Sequence, residues 1–341
     1  MDKIIDEIIK IVKKNCVKYI TISESNHRSY TSHTFHSKLV KRLHKERIID
    51  TFSSERMGIF DELIINYYVH NKLDLNELKE NLIFGGLGIK RWLKYFQTQD
   101  PKSFQIIGFE SDEYPTYIFD RIPRHILEHF FSPNFIEDIL KGKDVKKIRT
   151  KLEEDKRVKE SFVRMLTFMQ QRETHWLSNI KKALKYRTSL FINGYHLSKK
   201  DIIGKHLKEK YGNQCLILGM SAYDIKTQKL FIDGKKYPTN KAFSDAIHID
   251  DYIQKDEKVN DLAPPTKYEK YLHQKYKDWK LIKVNKQNGR KKIRAIGCYL
   301  GITQEDFEKG VKMNDVVDIE VKNYDYIVFF HKSVYKENMF E

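Results

Sequence analysis

The sequence predicts an α/β fold, with a mainly parallel (mixed) central sheet flanked by helices and a helical insertion that caps it. Most segments between the short apolar runs have apolar residues at helical spacing. Strands that alternate with helices in this way form mainly parallel sheets. With 341 residues, 40% of them hydrophobic and 13% aromatic, the chain can bury an ordered core. We predict a single α/β domain over residues 1–341. The strand-like runs end at Ile22, Phe52, Gly108, Asn193, Gly219 and Phe330.

The first elements alternate between helix and strand. The patterns predict a helix at 3–14, a strand at 17–23, a helix near 33–46, a strand at 48–53 and a helical stretch from Asp61 to Tyr68. Acids interrupt the apolar residues of the first segment, which is typical of an amphipathic helix rather than a signal peptide. No run of about 18 apolar residues occurs, so we expect no membrane span and a cytoplasmic protein.

The middle of the chain predicts a helical insertion. Between residues 120 and 185 apolar residues recur at helical spacing without a strand-like run, and such caps commonly cover a crevice and select the substrate. Residues 252–268 contain the pair Pro264-Pro265 and predict an exposed loop. The aromatic run from Tyr324 to Phe330 predicts a closing strand in the core.

The charge distribution argues against a nucleic-acid-binding protein. The net charge is +16, but the excess is mostly Lys interspersed with acids, as in residues 151–157, and mixed-sign runs are typical of solvated helix faces. The densest basic segment, residues 283–294, is the one stretch that favours phosphate binding. The three Cys residues show no metal-ligand spacing, which indicates packing residues in a reducing compartment.

Charged residues follow the first two predicted strands. Glu24 and His27 come after the first, and Glu55 and Arg56 after the second. Ligands of open α/β sheets bind outside the carboxyl ends of the strands, where a carboxylate can orient a His that takes a proton from water. The alternative is a loop that carries polar residues without a function.

Three further histidines recur near helical spacing in the second predicted helix. They are His33, His36 and His44. Because no Cys and no clustered carboxylates accompany them, we expect them to face solvent or to cap the helix rather than to bind a metal.

Later segments extend the pattern of polar turns after strands. Residues 172–179 read Arg-Glu-Thr-His-Trp-Leu-Ser-Asn, and the apolar run 190–192 is followed by Asn193-Gly194-Tyr195-His196-Leu197. Together with the turn after the first strand, this order resembles the erythromycin esterase-like family, which is related to the TraB/TIKI and ChaN-like proteins. In that family a Gly-Glu-x-x-His-Gly turn follows the first strand and a His-Asn-x-His turn follows a later one. An Arg-Asp-x-x-Met-x-x-Asn helix precedes the later turn.

The resemblance covers most of the chain, with three departures. The matching positions are Glu24, His27, Glu55, Arg172, Glu173, Asn179 and His196. Ser23 stands where the family has the first Gly, Arg28 where it has the Gly after the His, and Asn193 where it has the first His of the late turn. Asn193 can form hydrogen bonds but cannot act as a base at neutral pH. Arg28 makes the pocket narrower and more positive, which favours an anionic or peptidic substrate over a macrolide.

The resemblance implies a hydrolase or acyl-transfer enzyme that acts on a carboxylic ester, lactone or amide of a small natural product or modified peptide. His27, oriented by Glu24 or Glu55, would activate water or another nucleophile. Donors to the developing oxyanion commonly contribute a few kcal/mol each. The residues expected to stabilise the oxyanion or to hold the substrate are Arg56, Arg172, His196, Arg28, Glu173 and Asn193.

Two alternatives stay open at this stage. The metal-dependent TIKI branch implies a divalent metal held by His and Glu side chains, but Arg28 and Arg56 oppose a cation there, so we expect no cofactor. The alternative function is a non-catalytic binding protein of the same fold that uses its basic surface to hold an anionic partner or nucleic acid. Otherwise the expected partner is a small-molecule or peptide substrate, and the sequence leaves the oligomeric state open.

Overall fold

The structure is a computed structural model that describes residues 1–23, 30–76, 78, 90–100, 102–110, 172–194, 197–222, 266–297 and 315–331. The chain divides into two compact units. The first contains Met1–Asp50 and Thr188–Met339, and the second contains Thr51–Arg187 and Phe340–Glu341.

The described helices and strands alternate through much of the chain. In chain order the helices are α1 (Asp2–Lys14), α2 (Tyr30–Lys45), α3 (Ile59–His70), α4 (Lys90–Phe96), α5 (Arg172–Ala183), α6 (Ile202–Tyr211) and α7 (Lys267–Lys275). The strands are β1 (Tyr19–Ser23), β2 (Thr51–Gly58), β3 (Gln105–Glu110), β4 (Leu190–Gly194), β5 (Cys215–Ala222), β6 (Lys280–Lys283), β7 (Lys292–Gly297), β8 (Asp315–Glu320) and β9 (Tyr326–Phe330).

In the first unit, five strands pair in the order β4-β1-β5-β9-β6. The strands β4, β1, β5 and β9 are parallel to one another, and β6 is antiparallel to β9. Every residue of β1 and β4 is buried, as expected for parallel strands that are covered on both faces. Helix α1 turns a stripe of Ile and Val residues inward. The strands β7 and β8 form a separate antiparallel pair.

The second unit contains the parallel pair β2 and β3. Side chains of α3 and α5 form hydrogen bonds with the backbone of β3. From α3, the Glu62 carboxylate accepts from the Gly108 N–H at 2.9 Å, and the Asn66 amide donates to the Ile106 carbonyl at 2.7 Å. The Asn179 amide of α5 donates to the Phe109 carbonyl at 3.1 Å. These bonds satisfy backbone groups that would otherwise be left without partners inside the protein.

The structure confirms the predicted fold class: a mainly parallel sheet flanked by helices. The segments predicted as helix 3–14, strand 17–23 and helix 33–46 are α1, β1 and α2, with bounds shifted by up to three residues. None of the helices in the described ranges is long and apolar enough to cross a membrane.

Two predicted segments fall largely outside the described residues. Residues 120–171 of the predicted insertion lie outside them, and residues 172–183 are α5. Residues 252–265 of the predicted loop also lie outside. Its last residues are described: Thr266 caps α7, accepting from the Glu269 N–H at 3.1 Å, while the Glu269 carboxylate accepts from the Thr266 N–H at 2.9 Å.

Candidate functional site

The parallel strands β1 and β4 of the first unit end at the same level of the sheet, and their neighbour β5 runs on for three more residues. Ser23, the last residue of β1, is the register partner of both Gly194 in β4 and Gly219 in β5. One residue earlier, Ile22 is the partner of Asn193. This alignment brings the polar residues at the strand ends close to one another. We refer to it as the carboxyl edge.

His36 of α2 contacts two of these strands. Its Nδ1 lies 3.4 Å from the Asn193 Nδ2, and its Nε2 lies 3.0 Å from the Met220 Sδ. With the Asn193 amide nitrogen as donor, Nδ1 accepts, and Nε2 faces the thioether sulfur, a weak acceptor. His36 is 3% exposed and Asn193 is 7% exposed. The two contacts hold the buried imidazole between β4 and β5.

The opposite face of the same strands carries Tyr324. Its hydroxyl lies 3.5 Å from the Ser23 Oγ, and burial raises the pKa of the phenol far above its ordinary value. The ring packs on Gly219, where an added Cβ would lie 2.8 Å from two ring carbons. A side chain at Gly219 would displace this ring, so glycine is required for the close approach.

The expectation that the histidines of the second helix face solvent or cap it is wrong. His33, His36 and His44 are all buried. A signal for this was present, because His36 lies on the same helix stripe as Val40 and Leu43. A histidine within an apolar stripe is positioned to face the sheet.

The structure describes the predicted site residues unequally. Glu24, His27, Arg28 and His196 lie outside the described residues. Asn193 is buried beside His36, and Glu55, in β2, is 2% exposed. For Arg56 in β2, and for Arg172 and Glu173 in the first turn of α5, the structure describes the backbone path only.

These residues are divided between the two units. Glu24, His27, Arg28, Asn193 and His196 belong to the first unit. Glu55, Arg56, Arg172 and Glu173 belong to the second. The grouping of the nine residues into one site therefore stays a prediction.

Among the residues that the structure describes, no three His, Cys, Asp or Glu side chains lie close enough together to hold a metal ion. Three residues that could hold a divalent metal by the family resemblance, Glu24, His27 and His196, are outside those ranges.

Comparisons with known proteins identify the fold. No protein-family model and no curated protein matches the chain in sequence. A protein from Bacillus cereus aligns with a TM-score of 0.58 and 16% identity over 94% of this chain and 90% of its own. A succinoglycan biosynthesis protein aligns with a TM-score of 0.57 and 12% identity over 96% of this chain and 90% of its own. An erythromycin esterase mutant in its open conformation aligns with a TM-score of 0.53 and 10% identity over 97% of this chain and 94% of its own. At these identities the similarity establishes an erythromycin esterase-like fold.

Proposed function

We propose that the protein is a hydrolase or acyl-transfer enzyme whose reaction takes place at the carboxyl edge of β1 and β4. One observation carries the proposal: Ser23 and Gly194 are register partners in adjacent parallel strands. In the sequence, Glu24 directly follows Ser23, and His196 follows Gly194 by two residues. Crevices at this edge of an open α/β sheet are the usual ligand sites of such folds.

The proposed chemistry is general-base attack on a carbonyl. His27, oriented by Glu24, takes a proton from water while the water oxygen bonds to the carbonyl carbon of an ester, lactone or amide. His196 donates to the oxyanion. The tetrahedral intermediate then collapses, and the leaving alcohol or amine takes the proton from His27. In acyl transfer, a substrate hydroxyl or amine replaces the water.

His36 adds a positioning role at this edge. It places an imidazole beside Asn193, the position where the family resemblance implies a His. Its Nε2 is directed at Met220, so His36 is not the base. We infer that it orients the Asn193 side chain, whose amide is the group expected to meet the substrate.

The remaining predicted site residues belong to the second unit, so their roles call for variants of their own. Glu55 is the proposed alternative partner of His27, and Arg56, Arg172 and Glu173 are proposed to anchor the substrate. Arg172→Gln should raise KM more than it lowers kcat if the guanidinium binds substrate without acting on the transition state.

The decisive experiment is turnover on a panel of esters, lactones and short modified peptides. His27→Ala should lower kcat/KM by about 10²- to 10⁴-fold, the usual contribution of a general base, while the free energy of unfolding stays near that of the wild type. The matched control is His70→Ala, at the last residue of α3. It should leave kcat/KM close to wild type.

Two outcomes would contradict the proposal. One is wild-type protein without turnover on any member of the panel, which would leave the non-catalytic binding protein as the better explanation. The other is unchanged kcat/KM in His27→Ala. We also expect activity to survive dialysis against EDTA, and a loss that Zn²⁺ or Mn²⁺ restores would favour the metal-dependent form.

A further inference from the structure

A cleft of about 940 Å³ lies at the opposite edge of the same sheet, where the parallel strands of the first unit begin. Its wall includes Val17 before β1, Cys215 at the start of β5 and Tyr326 at the start of β9. The turn after β6 forms the opposite wall. We refer to it as the amino-edge cleft. Its ionic lining is six cationic side chains and one carboxylate: Lys199, Lys208, Lys283, Lys286, Arg290, Lys322 and Asp325.

Two of the cations share the single carboxylate. The Asp325 carboxylate binds the Lys199 Nζ at 2.7 Å and the Lys208 Nζ at 3.0 Å, and it accepts from the Ile217 N–H at 3.0 Å. Lys322 pairs with Glu320 at 2.5 Å. These bonds hold three of the six cations in place within the fold.

The other three cations carry most of the excess positive charge of the cleft. Lys283, Lys286 and Arg290 are exposed, and no carboxylate in the described part of the chain forms an ion pair with them. Like charges in one concavity repel one another in the absence of an anion. An anionic ligand would relieve this repulsion, so the cleft is electrostatically suited to a ligand with several negative charges.

The turn that presents these cations is held by its own hydrogen bonds. The Asn285 Oδ1 accepts from the Gln287 and Asn288 N–H groups at 2.9 and 3.1 Å, and the Asn288 Nδ2 donates to the Lys283 carbonyl at 2.9 Å. The Lys322 N–H donates to the Gly289 carbonyl at 2.9 Å, which ties the turn to the segment after β8. A fixed turn loses little backbone entropy on binding, which favours affinity.

We propose that the amino-edge cleft binds a small molecule that carries two or more phosphate groups. The volume falls in the usual range of small-ligand sites, about 300 to 1,000 Å³. The unpaired cations are gathered in one concavity, whereas a nucleic-acid backbone is followed by a stripe of charge along a groove or face. Tyr326 adds a half-exposed aromatic ring to the lining, which can pack on a planar organic group.

The cations of this cleft lie away from the proposed reaction site, although Tyr324 lines the cleft and its hydroxyl lies 3.5 Å from the Ser23 Oγ. Cys215 lines the cleft, and Met220 contacts His36 at the carboxyl edge. Five strand residues at about 3.3 Å each place these two positions about 17 Å apart along β5. The proposal does not rest on the proposed enzymatic function.

The test is isothermal titration calorimetry of the full-length protein with inorganic tripolyphosphate and, separately, with a 20-nucleotide single-stranded DNA, both at low salt. The informative variant is Lys286→Gln/Arg290→Gln, which removes two of the three unpaired cations. The matched control is Lys3→Gln/Lys10→Gln, which makes the same charge change at exposed positions of α1. Because all four side chains are exposed, both variants should fold normally.

We expect tripolyphosphate to bind the wild type and the α1 control with similar affinity. The cleft variant should bind at least about tenfold more weakly, because two charges close to the anion are lost. Equal weakening in both variants would show a general charge effect and overturn the proposal, as would a wild type without measurable tripolyphosphate binding. DNA binding that is tighter than tripolyphosphate binding and is lost in the cleft variant would instead assign the cleft to nucleic acid.

Discussion

The replacement of Asp325 by Asn tests how the first unit is held together. The carboxylate lies between two lysines, Lys199 at 2.7 Å and Lys208 at 3.0 Å, and accepts from the Ile217 N–H. The Asp325 N–H also donates to the Ile217 carbonyl at 2.7 Å. Asn preserves the volume and the Asp325 N–H bond, but removes the negative charge that the two ammonium groups share.

The expected loss is about 2–3 kcal/mol of unfolding free energy at neutral pH. Breaking a buried ion pair costs about 3–5 kcal/mol because the remaining charge is left without compensation. Here the Asp325 side chain is 19% exposed and the two lysine side chains are 30% and 29% exposed, so solvent screens part of that cost.

The pH dependence provides a second check on Asp325. Burial would raise the pKa of this carboxyl, but hydrogen bonds from Lys199 and the Ile217 amide, together with the positive charges, outweigh burial and lower it. The folded pKa therefore lies below the unfolded value of about 3.9. The carboxylate contributes stability above the unfolded value and loses it as pH falls through the folded pKa, so the difference between wild type and variant should shrink below about pH 4.

Urea unfolding followed by circular dichroism at pH 7 and at several lower pH values measures both effects. The control is Asp278→Asn, because Asp278 is exposed and, within the described part of the chain, its side chain accepts only from the neighbouring Trp279 N–H. A loss in Asp325→Asn no greater than that in Asp278→Asn would refute the reasoning. A difference that persists unchanged to pH 2 would refute the assigned charge state.

Three further predictions follow from buried groups. Gly219→Ala should cost about 1–3 kcal/mol in urea unfolding, because the added methyl overlaps the Tyr324 ring, and an unchanged midpoint would contradict that packing. Burial, with a charge effect from His331, lowers the pKa of His273 from 6.5 to about 4. The unfolded chain then binds this proton first, so stability should fall as pH drops from about 6.5 to 4, and His273→Phe should flatten that slope. Burial raises the pKa of the Cys215 thiol to about 12, so iodoacetamide should label exposed Cys16 in the native protein but reach Cys215 only in urea.

Much of the fold could be predicted because the central strands β1 and β4 are short runs of mostly apolar residues. β1 and β4 show buried residues at every position, and helices of clear period precede or follow them. The sequence patterns do not predict the strands β6, β7 and β8, and β6 illustrates why. In β6, Lys280 and Lys283 flank two buried residues, so only Leu281 and Ile282 carry an apolar signal. The basic segment 283–294 therefore shows only its charge in the sequence, although most of it is an ordered turn that leads into β7.

The candidate site was less predictable because its contacts join distant parts of the sequence. Asn193 was identified through its place after an apolar run, but its contact with His36 spans 157 positions. No local pattern indicates such a pairing. It depends on β1 and β4 being adjacent, which the order of elements along the chain does not specify.

The two edges of the sheet differ in their electrostatics, so the net charge of the chain bears differently on the two proposed sites. At the carboxyl edge the His36 imidazole contacts the Asn193 amide and the Met220 thioether, neither of which is charged. At the amino edge three cations remain after Asp325 and Glu320 have been satisfied. Stabilising an oxyanion requires dipoles that are fixed before the substrate arrives, whereas phosphate capture requires surplus charge in contact with solvent. The +16 of the chain therefore bears on the second kind of site and gives no reason to doubt the first.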